Sequence, residues 1–142
     1  MTSAKMSVPE LRKFLLDQFP QAFADGEISI ESADGASCVL RQRYSDRMLR
    51  PGRTVSGPTL MALADFAMYV VLLSAIGPVG LAVTTSLTIN FLRKGTPGQD
   101  VLATARLLKL GRRLAVGEVY LLSGTAADPI AHATLTYSIP NT

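Results

Sequence analysis

Across residues 55–92 the chain carries one charged residue, Asp65, in a run otherwise made of apolar, small and hydroxyl side chains. A segment this apolar must be enclosed by the rest of the fold, and a carboxylate inside it is costly to bury unless something compensates it or uses it. Asp65 is therefore the first candidate for chemistry. The plain alternative is a carboxylate that reaches the rim of the fold or pairs with an arginine from elsewhere in the chain.

The enclosing elements can be read on either side of the run. Gly57-Pro58 opens a helix, with proline in the first turn where a missing N–H is tolerated, and the helix runs to about Ile76 before Gly77 and Pro78 stop it. Leu60, Met61, Leu63, Ala64, Phe66, Ala67, Val70, Val71 and Leu73 leave it no broad polar face. Upstream, Ser7 and Glu10 have capping-box spacing, with Pro9 nearby, for a short helix that carries Leu11, Phe14, Leu15 and Phe19 on one face and stops by Pro20. From Glu27 the apolar period becomes two: Ile28 and Ile30, an Asp34-Gly35 turn, then Cys38 and Leu40 spell a β-hairpin. Residues 44–55, polar and containing Pro51-Gly52, are expected to form a loop. Downstream, strands are expected at 82–92, 101–110, 113–123 and 130–139, separated by glycine-containing turns. Six strands with the helix inserted after the second predict an α+β fold, an antiparallel sheet curled over one long central helix. At 142 residues the chain is expected to be one domain, with residues 1–24 as an N-terminal helical extension.

Composition excludes several functions. The net charge is only +3, the basic residues are scattered or paired, and aromatics make up 6% of the chain, a poor match to a nucleic-acid surface. The single cysteine, Cys38, precludes an internal disulfide and is expected to be a small buried hydrophobe in a reducing compartment. Residues 1–20 carry Glu10, Arg12, Lys13 and Asp17 in place of an apolar leader. The apolar segment 66–83 is interrupted by Gly77, Pro78 and Gly80 and falls short of a clean span of about 20 residues. A cytoplasmic protein with neither nucleic-acid nor membrane partners is the expectation. His132 is alone, on the strand face of Ile130, Thr134 and Thr136, where a surface or interface histidine is expected and no second metal ligand is near in sequence. No glycine-rich phosphate loop or serine-elbow motif is present.

Gly57 offers a second candidate. At a helix entrance the unpaired N–H groups and the positive end of the dipole can hold a developing oxyanion, although a simple N-cap role explains a glycine there equally well. Eight residues of helix separate Gly57 from Asp65 by about 12 Å, whereas a reacting carbonyl needs both groups within about 3 Å. One chain cannot bring them to one substrate. If both act, two helices must lie antiparallel across a two-fold axis, so that Gly57 of one chain faces Asp65 of the other, and a homodimer with two equivalent sites results.

The run Ser56-Gly-Pro-Thr-Leu-Met-Ala-Leu-Ala-Asp65, then Val83-Thr-Thr-Ser-Leu-Thr-Ile-Asn-Phe-Leu-Arg93 and Leu110-Gly-Arg-Arg-Leu-Ala-Val-Gly-Glu118, resembles the hotdog-fold acyl-CoA thioesterases of the phenylacetate-degradation (PaaI-like) type over residues 25–140. The resemblance implies that Asp65 activates water or attacks the thioester, that the Gly57 amide polarises the carbonyl oxygen, and that Thr84, or else Thr85, supplies a supporting hydroxyl. Three positions depart from that pattern: Ser56 stands where the family has His, Pro58 replaces a second Gly, and Arg50 takes the place of an Asn. Arg50 could orient an acyl carbonyl or an acidic substrate, or lock Asp65 in a salt bridge. The resemblance also implies that coenzyme A enters only as part of the substrate, with no cofactor or metal. Its phosphates would meet Arg93-Lys94 and Arg112-Arg113, unless these are ordinary solvated strand ends, while Met61 and Tyr69, with Phe66 and Met68, would line an acyl pocket or simply pack the core. The hydratase branch of the same fold needs a histidine associated with the helix, which is absent here.

A thioester suits such a site, because its carbonyl is electrophilic and its thiolate leaves with little proton assistance. An ordinary carboxyl is a weak base at neutral pH, so base catalysis requires desolvation or well-placed water. The expectation is an acyl-CoA thioesterase assembled as a homodimer or a dimer of dimers (homotetramer). Two alternatives stand beside it: a non-catalytic protein that binds acyl thioesters or small aromatic ligands, and a purely structural dimer module with Asp65 salt-bridged.

Overall fold

The computed structural model describes residues 3–23 and 26–141. The last residue of the expected N-terminal extension, Ala24, lies outside them. The chain folds as an α1 helix (Val8–Gln18), a one-turn α2 (Pro20–Phe23), the strands β1 (Ile28–Ala33) and β2 (Ser37–Gln42), a two-stranded ribbon of β3 (Leu49–Arg50) and β4 (Thr54–Val55), the long α3 (Gly57–Ile76), and then β5 (Val83–Phe91), β6 (Val101–Leu110), β7 (Leu114–Ser123) and β8 (Ala131–Ser138). Six of the strands form one antiparallel sheet in the order β1-β2-β6-β7-β8-β5, wrapped around α3. This is the hotdog architecture expected from the sequence.

Local chemistry sets the element bounds. Ser7 and Glu10 form the complete capping box of α1, and Gly77 ends α3 at φ 99°, a left-handed value that glycine adopts without penalty. Residues 44–55 are more ordered than the loop expected of them. A turn of 3-10 helix at Asp46–Met48 precedes the β3/β4 ribbon, in which Gly52 and Arg53 both have positive φ. Strands of two residues are too short to show an apolar period, so alternation could not reveal them.

The sheet buries its helix-facing residues in alternation along β7, β8 and the first half of β6, and many of them are small: Ala103, Ala105, Ala115 and Ala133 are fully enclosed. Small residues let α3 lie close. At Gly117 there is no room for a side chain: an added methyl carbon would sit 2.5 Å from Met68 Sδ and 3.0 Å from the Arg106 carbonyl oxygen. Cys38 is buried and unpaired, its thiol directed at the Ala67 carbonyl oxygen at 3.4 Å, and burial pushes that thiol up to about 12. By length and composition α3 could cross a bilayer, but 72% of its most apolar window is buried inside the fold.

The sheet does not wrap α3 completely. Pro58, Met61 and Ala62 are exposed and Asp65 is half-buried, a stripe at helical spacing along one side. Beside it, β5 is an edge strand: it pairs with β8 alone, and seven of its nine residues are exposed.

Replacing Gly117 with alanine is expected to destabilise the fold by about 1–3 kcal/mol, because both the Met68 side chain and the neighbouring strand backbone must give way. Urea unfolding of the Gly117→Ala protein measures this; an unchanged midpoint would mean that helix and sheet are not in contact there.

Candidate active site

Asp65 lies in the third turn of α3, where the helix passes the start of β5. The Thr84 hydroxyl donates to its Oδ1 at 2.5 Å, and the Tyr137 hydroxyl lies 2.8 Å from the same oxygen and 3.0 Å from the Asp65 carbonyl. Thr84 and Tyr137 are register partners on β5 and β8, so one rung of the sheet delivers both donors. A register shift between Thr84 and Ser86 separates the roles of the two threonines. Thr84 reaches Asp65, and Thr85 donates instead to the Thr136 carbonyl at 3.2 Å.

Tyr137 is absent from the residues that the sequence singles out. Its hydroxyl is held as a donor because burial, with the Asp65 charge beside it, drives the phenol far above its ordinary value. The available signal was parity: residues 131, 133, 135 and 137 face inward, and an inward tyrosine needs a polar partner for its hydroxyl. Asp65 was the one carboxylate in the apolar run. Only the strand register shows that they meet.

Both hydroxyls converge on Oδ1. Among the described residues no donor reaches Oδ2, and no cation pairs with Asp65. The salt bridge to Arg50 weighed above does not form within the chain. Asp65 opens instead onto a cavity of about 460 Å³ whose walls include Gln18, Phe19, Tyr69, Val83 and Tyr137. Tyr69 stacks on Tyr137 with ring centroids 6.3 Å apart and donates its hydroxyl to the Gly80 carbonyl at 3.1 Å.

Gly57 borders a different and larger cavity, of about 610 Å³, together with Arg50, Ser56, Pro58, Phe91, Arg93 and Lys94. Ser56, not Gly57, is the N-cap of α3: its oxygen accepts from the Thr59 N–H at 3.3 Å and lies 2.8 Å from the Thr59 hydroxyl. The Leu60 N–H bonds to the Ser56 carbonyl, and Pro58 has no N–H. The Gly57 N–H is thus the one first-turn donor without an acceptor among the described residues. A side chain at Gly57 would crowd the Phe91 ring, 3.2 Å from where its β-carbon would lie.

The remaining candidates are spread along the surface. Met61 sits exposed on the α3 stripe between the two cavities. Arg93 donates to the Pro129 carbonyl at 2.7 Å. Arg112 and Arg113 are exposed at the β6–β7 turn and line neither cavity. His132 bonds to Glu118 at 2.9 Å, and Glu118 also pairs with Arg106 on the outer face of the sheet; His132 and Arg106 hold the Glu118 carboxyl below its ordinary value. No metal-binding cluster occurs among the described residues.

The profile of the thioesterase superfamily matches residues 52–127, which include Gly57, Asp65 and Thr84 and end before Tyr137. A candidate thioesterase from a Silicibacter species is 43% identical, with a TM-score of 0.90 over 99% of this chain and 96% of that one. The Escherichia coli PaaI protein of the phenylacetic acid degradation operon is 25% identical, with a TM-score of 0.75 over 90% and 94%. Zebrafish thioesterase superfamily member 2 shares the fold at 20% identity, with a TM-score of 0.83 over 96% and 100%. No curated protein is similar in sequence.

Removing the Tyr137 hydroxyl with Tyr137→Phe is expected to lower stability by about 1.5–3 kcal/mol, the range for a hydrogen bond to a charged group. In the Asp65→Asn background the same change should do less. Equal losses in both backgrounds, measured by urea unfolding, would mean that the hydroxyl and the carboxylate do not interact.

Proposed function

The chain belongs to the thioesterase superfamily, and from that premise we propose that it hydrolyses the coenzyme A thioester of an uncharged acyl group in sites shared between the two subunits of a homodimer. The supporting observation is the arrangement along β5. Asp65 is bonded to Thr84 at one end of that strand and Gly57 faces Phe91 at the other, each in its own cavity. Across eight residues of helix, about 12 Å apart, neither group can reach the other's substrate.

Antiparallel pairing of two β5 edges about a two-fold near Leu87 brings Thr84 of one subunit beside the partner's Phe91. The half-sites then merge twice over. The edge invites such pairing: the sequence Val-Thr-Thr-Ser-Leu-Thr-Ile-Asn-Phe contains none of the charged residues or prolines that protect a free edge. Val83 and Phe91 at its two ends and Leu92 just beyond it are half exposed, and Met61 on the uncovered stripe of α3 is exposed as well.

In the assembled site the carbonyl oxygen of the thioester accepts from the partner's Gly57 N–H, at the positive end of that helix. Asp65 Oδ2, free while Oδ1 is held by two hydroxyls, attacks the carbonyl carbon or takes a proton from the attacking water. The carbon–sulfur bond breaks and the thiolate leaves without needing a general acid; where Asp65 has attacked directly, water then cleaves the acyl–aspartyl anhydride, releasing the carboxylic acid and restoring Asp65. Ser56 is occupied in capping the helix and so has no part in proton transfer. Coenzyme A is substrate, and the chemistry calls on no metal or further cofactor.

Asp65→Asn is expected to lower thiol release from acyl-CoA by about 10²–10⁴-fold. Continued binding with no wild-type turnover on any acyl group would favour a binding protein. The shared site has its own test. Gly57→Pro removes the open N–H at a first-turn position, and because its ring must displace the Phe91 ring, retained folding of this variant is checked first by urea unfolding. Mixed with Asp65→Asn and allowed to exchange subunits, it should recover about a quarter of wild-type activity, because half the dimers then hold one intact site of two. Two inactive variants that stay inactive when mixed would place both groups in one chain's site and end the proposal.

A further inference from the structure

The two cavities differ in charge, and on the thioesterase reading just given this difference orients the substrate. Arg50, Arg93 and Lys94 border the cavity beside Gly57, and no carboxylate does among the described residues. Among the described residues no cation lines the cavity beside Asp65, where Phe19, Tyr69, Ala82, Val83 and Tyr137 supply apolar and aromatic wall beside Gln18 and Thr84. With the carbonyl between Asp65 and the partner's Gly57, the two ends of the substrate leave in opposite directions. Phosphates placed on the Asp65 side would lie near a like charge and far from the cations; on the Gly57 side they meet three cations.

We infer that the cavity beside Asp65 is the acyl subsite, that it takes an uncharged apolar acyl group, and that Phe19 sets the length it accepts. Phe19 closes the end of α1 and is 37% exposed, with its ring edge-on to Phe66 at 5.8 Å and to Tyr69 at 6.0 Å. Those two rings are themselves fixed. Phe66 is 6% exposed and lies 6.0 Å from Phe23, and Tyr69 is held by its stack and its hydrogen bond. Phe19 is therefore the aromatic wall contributed at the end of α1, beside Gln18, and α1 holds it firmly. Leu11 and Leu15 are fully buried, the Phe14 ring lies against Gly80, and the Lys5 N–H bonds to the Ser74 carbonyl at 2.7 Å. An acyl chain long enough to meet this ring must stop there.

The test uses two homologous series on the full-length protein: acyl-CoA substrates for kcat/KM, and S-alkyl-CoA thioethers, which cannot be hydrolysed, for calorimetric affinity, each from ethyl to dodecyl. Wild type should gain with chain length up to a break and then lose. Phe19→Ala should move the break to longer chains and raise the long-to-short ratio about tenfold, the order of one or more methylenes in an apolar pocket. Phe19→Trp should move it to shorter chains. Arg93→Ala and Lys94→Ala should weaken binding of every member, and of coenzyme A itself, without moving the break. A gain on long chains cannot come from misfolding, and Phe19→Trp carries the test if the alanine variant does not fold. Hydrolysis with a break that stays put in both Phe19 variants overturns the subsite while leaving the thioesterase reading intact. A break that moves for the thioethers, with no hydrolysis of any ester, retains the subsite and removes the enzyme. If the thioethers do not bind, the subsite falls.

Discussion

A helix with no polar face needs a complete apolar coat, and one curled sheet supplies most of it but not all. The sheet ends at β5, leaving Pro58, Met61, Ala62 and the half-buried Asp65 in a strip uncovered by the chain's own residues. Helix and strand are deficient along the same line, the one in apolar cover and the other in backbone partners. In the proposed homodimer a second copy would meet both needs in one contact, because an isologous interface presents each deficiency to its own image. In that proposed assembly the separation of Gly57 from Asp65 would cease to be an obstacle to chemistry, since each lies near one end of that line.

The parts of this organisation that repeat were readable from residue order. The capping box at Ser7 and Glu10, the uninterrupted apolar helix and the alternation along β6, β7 and β8 each obey a period or a spacing, and each formed where expected. The pairing of Asp65 with Tyr137 is of another kind. The two are 72 residues apart, and their contact depends on which rung of β8 lies opposite Thr84, which a single bulge decides. The choice between Thr84 and Thr85 rests on the same bulge. Nothing periodic encodes it. The β3/β4 ribbon escaped for a related reason: its conformation comes from two consecutive positive φ values at Gly52 and Arg53, and the second is at a residue type that gives no warning.

Three of the sequence's departures from the family pattern find their explanation in local structure. Ser56 caps α3 through Thr59, a task that leaves its hydroxyl committed to the helix. Pro58, by lacking an N–H, leaves Gly57 as the one open donor of the first turn. Arg50 belongs to the cationic rim on the Gly57 side and, within its own chain, stands apart from Asp65.

That segregation of charge bears on why Asp65 is satisfied by hydroxyls. An arginine in contact with the carboxylate would stabilise its charge more strongly than two neutral donors, but it would also occupy both oxygens with a bidentate fork and neutralise the group. Thr84 and Tyr137 do neither. They satisfy one oxygen, lock the side-chain orientation and leave the negative charge and the second oxygen directed at the cavity. A purely structural carboxylate would be expected to have both oxygens bonded or to be replaced by an apolar residue, since burial without full compensation is unfavourable. A half-satisfied acid beside aromatic rings, with the cations that line either cavity among the described residues gathered around the other one, instead suits the role proposed for it, an oxygen kept available to a neutral electrophile.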